Sequence, residues 1–235
     1  MSEEIKPIKV PMPLHLGFVN CYLLKTESGF LLVDTGAPFG RKDLEKELER
    51  LGCHPGSLRL IVLTHGDFDH TGSAAYLRQK YRSQIAMHPD DAGMAEYADM
   101  FWNRGKGNVL FGKLVPLLFG FTKKARFTPD VLLQDGFDLS EFGMDTCIIS
   151  LPGHSKGSVG ILTSSGDLFC GDLLMNDKGQ PSLGFGEPAG FIPSINRLKG
   201  MQIRTVYPGH GSPFQAYPDL WGSLSNEHDS TRISN

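Results

Sequence analysis

The sequence predicts a mixed α/β (α+β) protein that forms a single domain over residues 1–235, and three observations support this fold class. Short apolar runs of strand length alternate with amphipathic helical segments. Two parts of the chain show a similar order of strands and of Asp and His residues, which indicates two related halves. Hydrophobic residues make up 40% and charged residues 21% of the chain, and this globular balance excludes general disorder.

The first half is predicted to contain four strands and two helices. Strands over 19–24 and 30–33 are joined by a turn at 27–29. A helix is expected over 41–51, because apolar residues recur at helical spacing among charged ones and Gly52 follows the last of them. The other elements of this half are a buried strand over 58–63, a helix over 73–81 and a short strand over 84–88.

A helical insertion is predicted over about 91–129, between the two halves. The stretch 101–128 has no acidic residue but contains six cations and six aromatic side chains. Its charge is therefore +6, which leaves −9 for the rest of a chain whose total is −3. The basic aromatic segment 100–127 is consistent with a wall for an acyl chain or an anionic substrate, with an interfacial helix that touches a membrane, or with a homodimer contact.

The second half is predicted to be rich in strands and to end in a frayed tail. Its strands are expected over 131–133, 146–151, 160–163, 168–170 and 205–207, with a short helix over 194–199. The residues from about 214 to 235 are polar and weakly patterned, so we expect them to fray.

Cysteine usage and the N-terminal residues favour a cytoplasmic protein. The cysteines are widely spaced and contain no C-x-x-C pair, which is typical of buried thiols in a reducing compartment. The N-terminal residues are acidic and lack the apolar region of a secretory signal. The longest apolar stretch, 114–121, contains Pro116 and Gly120 and is far shorter than the ~20 residues of a transmembrane helix.

The segment 65–70 carries the densest chemical signal in the chain. Four side chains that can bind a metal lie within these six residues, namely His65, Asp67, Asp69 and His70. They directly follow a predicted buried strand. Imidazoles and carboxylates packed so closely must be paired or coordinated, so the segment predicts a metal site. A solvated turn is the alternative, since Gly-Asp and Asp-His also suit turns.

Three later residues occur at similar positions relative to predicted strands. His154, Asp172 and His210 each follow a glycine at or just beyond a predicted strand end. A glycine beside a ligand lets the backbone approach a bound group closely. If the two halves are related, these three side chains and the segment 65–70 converge on one cleft, which strengthens the prediction of a metal site.

The order of these residues resembles the metallo-β-lactamase superfamily over about residues 15–213. The family signature is H-x-H-x-D-H, followed by a later His, a later Asp and a final His. The resemblance implies a four-layer αββα sandwich of the metallo-β-lactamase type, with its core at about 15–213 and a dinuclear metal site at one edge.

The resemblance also implies roles for individual residues. One metal ion would be held by His65, Asp67 and His154, and the other by Asp69, His70 and His210, with Asp172 bridging the two. By the same likeness Asp34 orients the ligand loop without binding a metal. Asp69 would also be catalytic, because it would hold the nucleophile and pass a proton to the leaving group.

Asp67 departs from the family pattern, since most members have His at this position. A carboxylate here lowers the formal charge of a two-metal cluster by one. We therefore expect a bridging water that is less acidified and a site in which Mn or Fe competes better with Zn. The alternative is that Asp67 misses the metal and the site holds one ion. The cofactors implied by the resemblance are two divalent metal ions, with Zn as the first choice and Fe or Mn as alternatives.

The predicted function is a metal-dependent hydrolase in which a metal-bridging hydroxide attacks an ester-like bond, namely a carboxylic ester, a lactone or a thioester. By resemblance, a bridging Asp172 is typical of glyoxalase II-like hydrolases, lactonases and nucleases, and not of true β-lactamases. Three alternatives stay open: an iron-binding oxidoreductase of the diiron or persulfide dioxygenase type, a phosphodiesterase or nuclease, and a non-catalytic ligand sensor.

The expected partner is a small-molecule substrate with a hydrophobic or an anionic part. No nucleic-acid partner is expected, because a pI near 6.2 and a net charge of −3 provide no global basic field. The other histidines, His15, His54, His88 and His228, match no ligand position and are interpreted as surface or packing residues.

Overall fold

Two β-sheets form the inner layers of the molecule. The structure is a computed structural model that describes residues 4–102, 104, 109–186 and 188–225. In spatial order, the first sheet contains β1 (Glu4–Pro11), β2 (Phe18–Thr26), β3 (Gly29–Val33), β4 (Leu58–Val62), β5 (Gln84–Met87) and β6 (Val131–Leu132). The second contains β12 (Phe214–Gln215), β11 (Thr205–Gly211), β9 (Asp167–Asp177), β8 (Val159–Thr163) and β7 (Thr146–Ser150), and β10 (Gln180–Leu183) pairs with β9.

Helices cover the outer face of each sheet. The first sheet packs on α1 (Arg41–Arg50) and α3 (Ala74–Tyr81), whose buried side chains share a core with those of β1 to β5. The second sheet packs on α6 (Pro188–Leu198) and on the helical residues 220–225. The other numbered α-helices are α2 (Phe68–Thr71), α4 (Pro89–Tyr97) and α5 (Val109–Leu118). This arrangement confirms the predicted αββα sandwich.

Strand β2 shows why both faces of the first sheet are buried. Successive side chains of a strand point to opposite faces. Tyr22 and Leu24 pack between the two sheets, whereas Cys21 and Leu23 pack toward the helices, and all four are at most 2% exposed. A nearly continuous apolar run is therefore required here, because neither face meets water.

Parallel pairing brings chemistry-bearing residues to one edge of the sandwich. Strands β3, β4 and β5 are parallel neighbours, and β9 is parallel to β11. The chain leaves β3 at Asp34 and leaves β4 just before His65, while His210 lies near the end of β11. Side chains that follow the carboxyl ends of these strands can therefore meet in one place.

The structure extends or adds several elements relative to the sequence prediction. Strand β9 continues to Asp177, although the prediction ended it at 170, and α6 begins six residues before the predicted 194. Strand β1 was not predicted at all. It contains Pro7 and Pro11, which a strand at the edge of a sheet tolerates because only one side must donate hydrogen bonds to a neighbour.

The predicted frayed tail needs a correction over 214–225. Residues 214 and 215 form β12, and Leu220, Trp221 and Leu224 are buried in the core beneath the second sheet. The apolar side chains are too few and too widely spaced to predict a helix from the sequence, yet their burial against the second sheet holds the segment in place. Residues 226–235 lie outside the described part of the chain.

The four cysteines are free, and three of them are buried. Among the described residues, the helices are all too short or too polar to cross a bilayer.

Candidate metal centre

The seven predicted ligands lie together at the edge of the sandwich. Two groups of side chains each have ligand atoms within 4.8 Å of one another. The first consists of His65, His154 and Asp172, and the second of Asp69, His70 and His210. The imidazole ring centroids of His65 and His70 are 4.1 Å apart, so the two groups are neighbours. The structure thus brings together residues from both halves of the chain.

A single helical turn places Asp69 and His70 of the second group. The carbonyl oxygen of Asp67 accepts hydrogen bonds from the backbone N–H of His70 at 3.0 Å and of Thr71 at 2.9 Å. The chain is extended up to Asp67 and helical from Phe68 to Thr71. The turn carries His70 into the interior, where it is fully buried, while the Asp69 side chain remains 16% exposed at the surface of the site.

Asp34 fixes the ligand loop from behind. One carboxylate oxygen accepts the backbone N–H of Thr64 at 2.9 Å, and the other accepts the Thr64 hydroxyl at 2.8 Å and the Nδ1–H of His70 at 2.9 Å. Asp34 is buried and has a left-handed backbone, with φ of 59°. It belongs to neither ligand group. The orienting role that the resemblance implies for Asp34 stays a prediction, and these contacts suit it.

In all four histidines of the centre, the Nδ1 atom makes a hydrogen bond. His70 uses its Nδ1–H for Asp34, as described above. His65 Nδ1 lies 3.0 Å from the Thr64 hydroxyl, and because this hydroxyl donates to Asp34 it accepts from His65. His154 Nδ1–H donates to the carbonyl of Phe185 at 2.7 Å, and His210 Nδ1–H donates to the carbonyl of Phe18 at 3.2 Å. These bonds place a proton on Nδ1 and turn each Nε2 toward the centre.

Unsatisfied buried atoms show that the donor set fits a metal. Among the described residues, His65 Nε2, His70 Nε2 and Asp172 Oδ1 are buried without a hydrogen-bond partner. An unsatisfied buried polar atom costs about 1–3 kcal/mol. A divalent cation would satisfy imidazole nitrogens and carboxylate oxygens at once, and this donor combination suits Zn, Fe and Mn.

The charges of the centre shift its pKa values strongly. Burial lowers the pKa of His65, and the neighbouring His70 and His154 lower it further. Burial would also lower the pKa of His70 and His210, but nearby carboxylates, Asp172 above all, outweigh burial and raise both, that of His210 to about 10. The same two histidines hold the pKa of Asp172 well below its usual range against the effect of burial. A cation bound in the second group would therefore compete with protons for these histidines.

Asp67 lies beside the first group and has two different neighbours. Its Oδ2 is 2.9 Å from His154 Nε2 and 3.7 Å from His65 Nε2, whereas its Oδ1 is 2.9 Å from Arg104 Nη2. Burial would raise the pKa of Asp67, but the hydrogen bond from His154 and the charge of Arg104 outweigh it and lower the pKa. Asp67 is not among the residues of the two compact ligand groups, so its role as a ligand stays a prediction.

Arg104 and Asp91 are residues of the site that the sequence analysis missed. Asp91 is a buried carboxylate in α4 that accepts the backbone N–H of Gly66 and of Gly157, both at 2.9 Å, and the hydroxyl of Ser155 at 2.5 Å. Burial raises its pKa, although these hydrogen bonds lower it in part. Asp91 thereby joins the loop of His65 to the loop of His154. Neither residue belongs to a recognisable motif, and the only signal was the acid-free basic segment that contains Arg104.

Exposed apolar side chains flank the centre. Phe18 and Phe185, whose carbonyls accept from His210 and His154, are 54% and 73% exposed. A groove of about 400 Å³ is lined in part by His210, Phe18 and Leu16 together with Lys9 and Lys178. The surface beside the ligands can therefore accept apolar and anionic groups.

The histidines outside the motif have no ligand role in the described structure. His88 caps α4, since its ring nitrogen accepts the backbone N–H of Asp90 at 3.2 Å, and His54 is exposed. The side chain of His15 and the whole of His228 lie outside the described part of the chain.

Comparison with known families identifies the class of protein. A family model described as the metallo-beta-lactamase superfamily matches residues 15–210. The chain belongs to the metallo-beta-lactamase superfamily, which confirms the resemblance read from the segment 65–70 and the later ligands.

Individual relatives group the chain with the hydrolases of this superfamily. The uncharacterized protein YobT of Bacillus subtilis is 30% identical over 158 residues, which cover 66% of this chain and 62% of that protein. The probable metallo-hydrolase YflN of the same organism is 25% identical over 85% of this chain and 83% of its own length. Hydroxyacylglutathione hydrolase GloC of Haemophilus influenzae is 27% identical over 82% and 85%, respectively.

Solved structures share the fold. A metallo-beta-lactamase family protein of Thermus thermophilus superposes with a TM-score of 0.71 at 26% identity, over 96% of this chain and 79% of that one. TTHA1623, solved in a di-iron-bound form, superposes with a TM-score of 0.68 at 27% identity, over 91% and 96%. Both likenesses support the αββα sandwich.

Proposed function

We propose that this protein uses two divalent metal ions to hydrolyse an ester-like bond, namely a carboxylic ester, a lactone or a thioester. The observation that carries the proposal is the set of four histidines whose Nδ1 atoms make hydrogen bonds and whose Nε2 atoms meet carboxylates in two neighbouring ligand groups. The name of the relative GloC describes hydrolysis of an acyl derivative of glutathione, which agrees with acyl-transfer chemistry.

The two ligand groups suggest how the ions would be held. His65, His154 and Asp67 would hold the first ion, and Asp69, His70 and His210 would hold the second. Asp172 suits a bridging role, because its Oδ1 is 3.4 Å from His70 Nε2 and its Oδ2 is 3.4 Å from His210 Nε2, while the residue also belongs to the first group. Zn is the first choice, and Fe or Mn fits the same donors.

The chemistry would divide between the ions and one carboxylate. Bound divalent ions would make a water molecule more acidic and polarise the carbonyl of the scissile bond. Asp69 lies at the mouth of the centre, with its Oδ2 3.5 Å from His210 Nε2. From this position its carboxylate can hold the attacking water, accept its proton and deliver that proton to the leaving group.

The surroundings of the centre favour a substrate with an apolar acyl part. Phe18, Phe185 and Leu16 present apolar surface beside the ligands, and Lys9 and Lys178 add positive charge to the groove near His210. The insertion adds apolar side chains nearby, since Phe119 stacks on the largely buried Phe68 of α2 with ring centroids 5.0 Å apart. We propose that the acyl chain lies against these side chains and that a lysine meets an anionic group.

Turnover of a substrate panel by matched variants tests this function. Chelator-treated protein is reloaded with Zn²⁺, Mn²⁺ or Fe²⁺ and assayed with carboxylic esters, lactones, thioesters and phosphodiesters. We expect hydrolysis of at least one ester-like substrate, with kcat lowered about 100-fold or more by His65→Ala or Asp69→Asn. His54→Ala is the control, because His54 is exposed and belongs to neither ligand group. Normal turnover in His65→Ala would contradict the assignment.

An iron oxidoreductase is the second candidate, and the carboxylate at Asp67 supports it together with the di-iron form of TTHA1623. Iron as the metal of the native protein, combined with substrate-dependent oxygen uptake and no hydrolysis in the panel, would favour this candidate over the hydrolase.

A further inference from the structure

Arg104 places a positive charge directly against the candidate metal centre. Its Nη2 lies 2.9 Å from Asp67 Oδ1 and 3.2 Å from His154 Nε2. The side chains of Arg104 and Asp67 are only 19% and 11% exposed, so water screens this pair weakly. The contact therefore has electrostatic consequences for anything bound beside Asp67.

The two oxygens of Asp67 face in different directions. Oδ2 faces the first ligand group, at 2.9 Å from His154 Nε2 and 3.7 Å from His65 Nε2. Oδ1 faces Arg104. One oxygen is thus available to a cation held by the two histidines, while the other is held by the guanidinium.

We propose that Asp67 and Arg104 act as one neutral unit that takes the place of the histidine usual at this position of the signature. In this unit Asp67 Oδ2 supplies the donor atom for the first metal ion, and Arg104 cancels the charge that a carboxylate adds relative to a neutral imidazole. The inference rests on the proposed metal centre and concerns how this chain balances its charge.

The unit changes what Asp67 alone would imply for metal preference. With the carboxylate considered by itself, the centre carries one more negative charge than the all-histidine arrangement. The positive charge of the guanidinium cancels this extra negative charge. The charge of Asp67 therefore no longer predicts a shift in metal preference toward Mn or Fe. Arg104 is a positioning and charge-balancing residue in this account, and it needs no contact with substrate.

A double-mutant cycle on metal affinity tests the unit without any substrate. The variants are Asp67→His, Arg104→Gln and the double variant, and Zn²⁺ affinity and stoichiometry are measured by competition with a chromophoric chelator. Asp67→His alone leaves a bare guanidinium beside the first ion, so we expect its affinity to fall about 100-fold. Adding Arg104→Gln to Asp67→His should recover at least about tenfold in affinity. In the wild-type protein the same change removes a charge that repels the ion but also removes the partner of Asp67 Oδ1, so its gain should be smaller.

Two further variants complete the test. Arg126→Gln removes the same charge from an exposed position of the same segment, and it should leave the affinity unchanged. Asp67→Asn removes the charge of the donor without changing the side-chain shape, and it should lower the affinity for the first ion at least about tenfold. This variant replaces Asp67→His in the test if Asp67→His fails to fold. Unchanged affinity and stoichiometry in Asp67→Asn would overturn the inference, as would an equal effect of Arg104→Gln in both backgrounds.

The outcomes separate this inference from the proposed function. A protein that binds two ions with the expected coupling but hydrolyses nothing in the panel would disprove the hydrolase and leave the unit intact. If the protein hydrolyses an ester but the effects of the Asp67 and Arg104 substitutions on metal affinity are additive, the proposed function stands and the neutral unit is disproved.

Discussion

At the scale of single residues, the centre is organised by the atoms behind its histidines. Thr64 illustrates this, because its hydroxyl donates to Asp34 and accepts from His65, so it links His65 to the same carboxylate that His70 Nδ1 contacts directly. Such outer contacts set the tautomer and orientation of a ligand and so control affinity.

Asp34→Asn should weaken metal binding although Asp34 touches no ion. The amide keeps the size of the carboxylate but places an NH₂ group where His70 or Thr64 donates, so one donor loses its acceptor. We expect affinity for the second ion to fall about 10- to 100-fold in a chelator competition. Asp138→Asn, which alters an exposed carboxylate, is the control. An Asp34→Asn protein with wild-type affinity would show that the contact does not position His70.

His210 should make the stability of the metal-free protein depend on pH. Its pKa is raised from 6.5 to about 10 by Asp172 and Asp69, which outweigh burial and the nearby His70. Because the folded pKa exceeds the unfolded one, protonated His210 stabilises the fold fully below about pH 6.5, and this contribution is lost as the pH rises through 10. In chelator, the difference in unfolding free energy between wild type and His210→Gln should shrink from pH 6 to pH 10. A difference in unfolding free energy that stays constant from pH 6 to pH 10 would contradict the raised pKa of His210.

The sequence predicted the convergence of the candidate ligands better than it predicted their neighbours. His65, His154, Asp172 and the other motif residues follow strand ends and fit a known order, so their meeting could be expected. Arg104 and Asp91 could not be found this way, because an ion pair or a buried carboxylate between distant segments depends on tertiary packing that no local pattern records.

At the scale of elements, the site depends on two loops that are joined through α4. Asp91 of α4 accepts from Gly66 in one loop and from Gly157 in the other. The backbone approaches so closely that a Cβ at Gly157 would lie 2.7 Å from the Asp91 carboxyl carbon, and a Cβ at Gly66 would lie 2.5 Å from the Met94 sulfur. Only glycine fits these two positions.

Gly157→Ala should therefore separate the loops. The added methyl group must displace the Asp91 carboxylate, which is buried and cannot move into solvent. We expect a loss of stability of about 1–3 kcal/mol in chemical denaturation, together with weaker binding of the first metal ion. Gly222→Ala is the matched control, because nothing lies within 4 Å of a Cβ at that position. Equal stabilities of the two variants would contradict the role given to Asp91.

The exposed phenylalanines beside the centre should determine substrate chain length. Phe18 and Phe185 lie at the positions whose carbonyls fix His210 and His154. Replacing either ring by Ser keeps those backbone contacts and removes apolar surface. We expect KM for long-chain esters to rise about tenfold, with little change for acetyl esters, since fully burying such a side chain contributes about 1.5–3 kcal/mol. An equal change for short and long chains would show that the rings do not bind the acyl chain.

Element boundaries illustrate where sequence patterns fail. The prediction ended a strand at 170, yet β9 continues because β10 and β11 pair with it beyond that point. Hydrogen bonds to these neighbouring strands, which no local pattern records, extend it. The same pairing holds Asp172 within a strand, where its carboxylate can face both ligand groups.

At the scale of the whole molecule, the sandwich brings ligands from two halves of the chain to one edge. The mixed α/β class and the two halves were predicted from alternating strands and helices, and the four layers came from the family resemblance. The modest total charge conceals a basic segment of +6 on a body of −9. That segment contributes Arg104 to the centre, so the charge asymmetry of the chain reaches the predicted ligand Asp67 and its neighbour His154.

The central claim is that two metal ions in this centre drive hydrolysis, and a metal titration of activity tests it most directly. Chelator-treated protein is titrated with Zn²⁺ while hydrolysis of the best ester-like substrate is followed. The account predicts no turnover without metal, a rise that continues to two equivalents per chain and a plateau beyond them. Turnover that persists in the chelator-treated protein, or tight binding of two equivalents without any hydrolysis, would contradict it.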